Sequence, residues 1–364
     1  MLDFIIFILV LGALVVVHEY GHFLVARKNG VGVERFSIGF GPILLKIKGK
    51  FTEFLICAFP LGGYVKLKGE SRQEHSGAAD EFFSKGPGIR TRIVLAGPIF
   101  NFIFAFVLFW IMSVIGFAEP DYSLTIVGGL REGYPAAAAG LQKGDKVVAV
   151  NGVKPQDWHS LQILIFKSEG KVVLKIERNA KLLDLNIPLK SGEAFDDYGR
   201  KKTKGMIGIV PEIHDVQFNV FTGFVKSLDL LFSTTGFMLK GFGLMAIGAL
   251  PFKEALSGPI GIYNITAQAR EAGFAAILHF MAILNISLMI INLLPLPLMD
   301  GGHAFLFFLE KIRRKQLSEK VEDVISRVGF GLLITLMVFV CYNDLVKFGP
   351  QIWHGKKTAV EKKI

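Results

Sequence analysis

The apolar residues of this chain are gathered into long blocks rather than spread at helical or strand spacing. Phe4 to Ala26 is almost wholly apolar, Ile93–Ala118 holds 26 residues without a charge, and Ala272–Met299 holds 28. A helix rises about 1.5 Å per residue and a hydrocarbon core is about 30 Å thick, so each block predicts a membrane-crossing helix. Val328–Asn343, 16 uncharged residues extendable through Val346, predicts a fourth. Between the first two blocks the pattern changes. Val33–Phe40, Ile43–Lys48, Phe51–Phe59 and Gly63–Lys68 are glycine-punctuated runs of mixed apolar character, which predict hairpins touching the membrane. Further on, Val147–Val150, Val172–Glu177 and Leu182–Pro188 read as strands, with turn signals at Gly144-Asp145 and Asn151-Gly152. They predict a small α/β-type soluble domain of about 90 residues, and Ser191–Lys204 reads as a polar loop within it. Phe218–Phe252 is apolar but broken by Lys226, Asp229 and Lys240, and its longest clean run, Gly241–Phe252, has 12 residues. That is too short to cross, so the stretch reads as an amphipathic helix on the membrane surface, with a further span as the alternative.

These patterns divide the chain into a first span (1–28), a β loop (29–92), a second span (93–118), a soluble domain (119–213) and a surface segment (214–272). A third span (273–309), a loop (310–327), a fourth span (328–348) and a tail (349–364) follow. The first segment has the length of a signal-peptide core, but Asp3 replaces the basic flank and no small-residue cleavage site follows, so it reads as a retained helix.

Composition adds less than distribution. The chain is 51% hydrophobic and 20% charged, with mean hydropathy +0.47. Clustered as they are, these residues exclude a soluble globular enzyme, a disordered chain and a disulfide-framed module. Cys57 and Cys341 cannot build a disulfide framework or a cysteine metal site. The net charge of +10 comes with no nucleic-acid reading motif, and no nucleic-acid partner is expected. It reads as topology instead. Arg27–Arg92 carries twelve Lys or Arg against six Asp or Glu, which places that loop in the cytoplasm and the soluble domain outside. Lys311, Arg313, Arg314 and Lys315 mark cytoplasm again. Lys347, Lys356, Lys357, Lys362 and Lys363 run against the outward C-terminus that four spans require.

The chemistry lies in the exceptions within the apolar blocks. His18-Glu19-Tyr20-Gly21-His22 puts two imidazoles at i and i+4, on one helix face, with a carboxylate beside them. Two such histidines grip a zinc ion, and the Glu is placed to take a proton from water at the metal. Ionisable groups inside a membrane helix are costly and mark a functional site by default, the alternative being a polar patch that closes helix packing. A catalytic zinc needs a third protein ligand. His279, Asp300 and His303 are the candidates in the apolar segments, and Asp300 is preferred because Pro295 and Pro297 break the helix before it and Gly301-Gly302 follow. His279 reads as a packing residue. His18, His22 and Asp300 fall at similar depth, toward the cytoplasmic face.

Further motifs accompany these residues: Gly62–Lys66, Ala96–Phe102, Ser257–Ile262 and Asn292–His303. With HEYGH they cover nearly the whole chain in order, and together the sequence resembles the site-2 protease family of intramembrane zinc metalloproteases, in its bacterial sigma-E regulator type. The resemblance implies an α-helical membrane protein of about four transmembrane helices, with a membrane-entering β element and an inserted extracytoplasmic PDZ domain. Ala136–Gly140, Leu141–Asp145 and Val150-Asn151-Gly152 match the PDZ signature. It implies that His18, His22 and Asp300 bind Zn2+, that Glu19 is the general base, and that Asn292, Gly63 and Tyr64 contact substrate. It implies a multi-pass protein of the bacterial inner membrane, in contact with lipid. Its substrates would be single-span membrane proteins such as anti-sigma factors or signal-peptide remnants. The chain has room for one PDZ domain where better-known relatives have two, and Tyr20 and Met299 are mild departures from the motifs.

Physical chemistry adds constraints to that reading. A substrate helix hides its carbonyls in its own hydrogen bonds and must unwind before attack, so edge strands of the 33–68 loop are candidates to receive it by β-addition. Asn292 is a candidate to bind the freed backbone. Asn101 is either a second such group or interhelical packing, and Gly97-Pro98 shapes a helix contact. A non-catalytic zinc-containing PDZ scaffold is the competing reading, disfavoured by Glu19 beside an open ligand set. A metal transporter would need polar residues along several helices, which spans two and four lack.

Overall fold

A computed structural model describes residues 1–195, 201–255, 257–316 and 318–361. Roughly half of the chain is helical. In chain order the elements are α1 (Leu2–Lys28), β1 (Val33–Lys48), β2 (Glu53–Leu67), α2 (Pro87–Ile115), β3 (Phe117–Pro120), β4 (Val127–Leu130) and α3 (Pro135–Ala138). Next come β5 (Lys146–Val150), α4 (Trp158–Lys167), β6 (Lys171–Arg178), β7 (Lys181–Pro188), β8 (Lys190–Phe195), β9 (Lys201–Met206), β10 (Ile209–Pro211) and β11 (Ile213–Val216). The last are α5 (Val220–Ala246), α6 (Phe252–Ala255), α7 (Pro259–Ala272), α8 (Phe274–Leu293), α9 (Asp300–Arg313) and α10 (Glu319–Glu361). They form two compact units, one of Met1–Val114, Val220–Lys240 and Phe252–Ile364, the other of Ile115–Asn219 and Gly241–Pro251.

Among the described residues of the first unit, four helices are long and apolar enough to cross a membrane: Leu2–Lys28, Pro87–Ile115, Phe274–Leu293 and the Asp323–Phe348 part of α10. Their bounds differ from the apolar blocks for local reasons. α2 starts at Pro87, ahead of the uncharged run, because proline is pre-organised for a first helical turn and the Gly86 carbonyl accepts from the Ile89 and Arg90 amides. The expected 273–309 span is two helices. α8 ends at Leu293, since Pro295 and Pro297 lack the amide and clash with the preceding turn, and the chain restarts as α9 at Asp300. The fourth apolar block lies inside a 43-residue helix. α5 is a continuous helix of 27 residues. Its start is tied to α2 by Trp110, whose indole N–H donates to the Val220 carbonyl at 2.9 Å.

The β loop is one antiparallel sheet with four arms. Phe36, Ser37 and Ile38 pair on one side with Val65, Tyr64 and Gly63, and on the other with Phe54, Leu55 and Ile56; Leu45–Lys48 then pair with Ile56–Glu53. Thus β1 and β2 each fold back on themselves, and the four runs seen in the sequence lie in the order 43–48, 53–59, 33–40, 63–67. β1 turns at Gly39 and Gly41, whose φ angles of +87° and +88° few L side chains tolerate. α1 packs on this sheet through Phe23, which meets Phe36 edge-on at 5.6 Å.

Three buried charged side chains fasten the helices that follow. Arg90 at the start of α2 bonds Glu310 on α9 at 2.6 Å, with both side chains 1–2% exposed, and its guanidinium stacks over Phe307 at 4.5 Å. Asp344 of α10 accepts the backbone amides of Gly258 and Gly261, each at 2.9 Å. That contact explains the Ser257–Ile262 motif: a Cβ on Gly258 would collide with Val340 and Asp344.

The second unit has an apolar core of its own. Trp158, Leu161 and Ile165 recur at helical spacing on α4, and Val172, Leu174 and Ile176 alternate on β6; all are buried in one cluster. Asp157 caps α4 reciprocally with Ser160. The predicted Asn151-Gly152 turn has φ angles of 49° and 83°, a tight turn between the bridged Val150 and Val153. The Ser191–Lys204 stretch departs from its loop reading. β8 and β9 pair from Lys190↔Met206 to Phe195↔Lys201, because ladder hydrogen bonds need no apolar side chains; residues 196–200 lie outside the described ones.

Asp145 is buried and grips Arg178 with both oxygens at 2.6 Å, while accepting the Gln142 amide at 2.8 Å. Burial pushes its carboxyl up, but the Arg178 hydrogen bonds and the Gln142 amide outweigh burial and hold it below the usual carboxylate range. The stabilisation is therefore present above the unfolded value, near ~3.9, and is lost as pH falls through the depressed folded one. Asp145→Asn is expected to speed amide exchange over residues 141–178 at neutral pH, with the difference from wild type shrinking below about pH 4. A difference that persists undiminished in acid would remove the ion pair as its cause.

Candidate metal centre

The centre is assembled from α1, α2, the 63–67 arm of the sheet and the first residue of α9. His18 and His22 fall one turn apart on α1, with Nε2 atoms 3.2 Å from each other. Asp300 Oδ2 lies 3.2 Å from His18 Nε2 and 3.6 Å from His22 Nε2. The three side chains are only 11, 13 and 17% exposed. Among the described residues they are the one group of three or more His, Cys, Asp or Glu with metal-ligand spacing.

Asp300 is delivered by the break that follows α8. Leu298 has φ of +70°, and the returning loop lies against the first turn of α9. A Cβ on Gly301 would strike the Leu293 and Leu294 carbonyls, and one on Gly302 the Leu296 carbonyl. The two glycines are thus required by a backbone that passes too close for any side chain.

Span two contributes what the sequence did not reveal. His22 Nδ1 lies 2.8 Å from the Ile93 carbonyl and so donates to it. Asn101 Nδ2 lies 3.1 Å from His18 Nδ1. Gly97 sits between them, where a Cβ would run into both imidazoles. Ile93, Gly97 and Asn101 are i, i+4 and i+8 on α2, one stripe facing the two histidines. On the opposing helix, Gly21 lets α1 approach the Ala96 carbonyl. The sequence alone reads Gly97 as a helix contact and Asn101 as either a substrate partner or packing; the one signal in it for this shell is the matching four-residue spacing on both helices.

The other predicted residues separate. Gly63 faces α1, with a Cβ position 3.4 Å from Glu19 Cγ, and the Val65 backbone amide interacts with the Glu19 carboxyl. Tyr64 alternates to the opposite face and stacks on Phe40 at 6.1 Å. Asn292 is half-buried in the last turn of α8. His279 is exposed on α8 beside Phe109. His303 is exposed and lines a cavity of about 670 Å³ with Pro295, Pro297 and Arg72, so neither joins the ligand cluster.

The cluster suits a small divalent cation. With Nδ1–H donating to Ile93, neutral His22 presents a lone pair at Nε2, facing His18 Nε2 and Asp300 Oδ2. Asp300 Oδ2 is buried without a hydrogen-bond donor. Two imidazole nitrogens and a buried carboxylate oxygen converging on one point make a donor set that a cation binds. Tetrahedral bonds of about 2.0–2.1 Å put ligand atoms roughly 3.4 Å apart, close to the separations of 3.2, 3.2 and 3.6 Å found here.

The model of peptidase family M50 matches residues 6–336. The chain belongs to peptidase family M50. It is 35% identical over 348 residues to a candidate zinc metalloprotease of Clostridium acetobutylicum, covering 94% of this chain and 97% of that protein. It is 33% identical over 356 residues to another of Helicobacter pylori, covering 94% and 99%. With the regulator of sigma-E protease RseP of Escherichia coli it shares 30% identity over 447 residues, covering 93% and 97%. A solved PDZ domain of an SdrC-like protein from Listeria innocua matches 26% of this chain and 97% of that one at 23% identity, with a TM-score of 0.20. This M50 chain is a zinc metalloprotease of the site-2 protease type, and its four apolar helices make it a membrane protein.

Proposed function

We propose that this protease cuts peptide bonds within or next to the transmembrane segments of single-span proteins, and that His18, His22 and Asp300 hold its zinc. The observation that carries the reading is the meeting of Asp300 Oδ2 with both histidine Nε2 atoms, the histidines lying on α1, a helix apolar enough to cross a membrane. Zinc, when bound, lowers the pKa of a coordinated water toward about 7 and polarises the scissile carbonyl. Glu19, next in the chain to His18, takes the water's proton and passes it to the leaving amine. The 63–67 arm is an edge whose register partners all lie in β1, and its Val65 amide is turned to Glu19. An unwound substrate strand added there lies beside the base and the metal, with Asn292 near the α8 break as a second backbone partner.

The outer arms of the sheet support contact with lipid: Leu44 and Phe51 are 69% and 71% exposed, in a chain where such residues face solvent at a cost unless a bilayer covers them. We read the Ile115–Asn219 part as an extracytoplasmic PDZ domain and the centre as lying toward the cytoplasmic side of a bacterial inner membrane. Anti-sigma factors and signal-peptide remnants are the substrate classes that fit. Asp300→Asn is expected to cut zinc content well below one per chain and to stop cleavage of a membrane-tethered single-span reporter. Metal analysis showing full occupancy would remove Asp300 from the ligand set.

A further inference from the structure

We infer that Asn101 is a positioning residue that orients His18 for the metal, as the Ile93 carbonyl orients His22. The inference rests on the ligand reading above. Asn101 has 0% exposure, so it has no surface to offer a substrate backbone. Its side-chain Nδ2 lies 3.1 Å from His18 Nδ1, while its buried Oδ1 has no hydrogen-bond partner, so turning the amide over would put the unpaired oxygen on the ring.

The chemistry selects one arrangement. A histidine that ligates through Nε2 must carry its proton on Nδ1, and that proton needs an acceptor. With Oδ1 of Asn101 turned to the ring, His18 Nδ1–H donates to it and the Nε2 lone pair is left toward Asp300. With Nδ2 turned to the ring, the proton is driven to Nε2, where it blocks the ligand position. The amide oxygen and nitrogen differ little in shape, so the hydrogen-bond network assigns them. His22 is already fixed in the ligating tautomer by a carbonyl, which has no donor to offer. Span two therefore supplies one acceptor to each ligand imidazole, eight residues apart, with Gly97 keeping the space between them open.

Zinc binding to the purified full chain in detergent, with zinc ion as the probe, tests this. Asn101→Leu keeps the volume and loses the acceptor, and it is expected to weaken zinc affinity about 10–100-fold. It should shrink the zinc-induced rise in melting temperature while the metal-free melting temperature stays near wild type. Asn101→Asp keeps an acceptor and should hold affinity within a few-fold of wild type; the cobalt-loaded visible spectrum should change in the Leu variant and not in the Asp variant. Asn101→Ala carries the same expectation as Leu if the Leu variant does not fold. Wild-type affinity in the Leu or Ala variant, or an equal loss in the Asp variant, overturns the inference. His18→Ala in the same assay separates the two levels. If it leaves affinity unchanged, the ligand reading falls and this inference with it; if it abolishes binding while the Asn101 variants are silent, only this inference falls.

Discussion

Glu19→Gln is expected to leave one zinc per chain and to slow cleavage of a membrane-tethered reporter by roughly 100- to 10,000-fold, the range a positioned general base contributes. The amide preserves shape and hydrogen-bonding length but cannot take a proton. Glu19 is not among the three convergent ligand atoms, so metal content should not move. It lies against Gly63 of the sheet arm, which puts it on the side from which an added strand would approach. The measurement is single-turnover cleavage alongside metal analysis of the same preparation. Turnover at the wild-type rate would mean that another group takes the proton.

Gly97→Val should be nearly as damaging, by a different route. A side chain at 97 enters the space of His22 Nε2 and of the His18 ring. Neither imidazole can retreat, since each is held from behind, His22 by the Ile93 carbonyl and His18 by Asn101. The helices must therefore separate or the rings must turn away from Asp300. Overpacking of this kind costs about 1–3 kcal/mol in folded cores, and the expected readout is loss of detectable zinc together with a lower melting temperature. Gly12→Ala is the control on α1, because a Cβ there meets nothing within 4 Å. A Gly97→Val protein that binds zinc as wild type does would show that α1 and α2 do not make this contact.

Much of the fold follows from pattern. Uninterrupted apolar length is a property of a segment alone, so all four apolar helices were legible, as were the four runs of the sheet and the Asn151-Gly152 turn. The bounds were less so, because helix ends depend on which backbone groups find partners. Pro87 starts α2 early through the Gly86 carbonyl. Pro295 signalled a break, but that the chain would restart as α9 at Asp300 depends on carbonyls of the return loop packing on Gly301 and Gly302.

The sequence by itself singled out the residues that converge in the candidate metal centre. His18, Glu19 and His22 are fixed by helical periodicity within five residues, and Asp300 stands out because a carboxylate beside an apolar block needs a cation. It did not determine the shell behind them. A backbone carbonyl such as that of Ile93 is chemically the same in every residue and leaves no trace in side-chain identity. Asn101 and Gly97 become meaningful only when α2 lies along α1 in the one register that matches Ile93 to His22 and Asn101 to His18. That register is set by packing around Gly21 and Gly97, between segments about seventy to eighty residues apart in the chain. Tertiary structure alone decided it, because periodicity names the face a helix presents and not the helix that meets it.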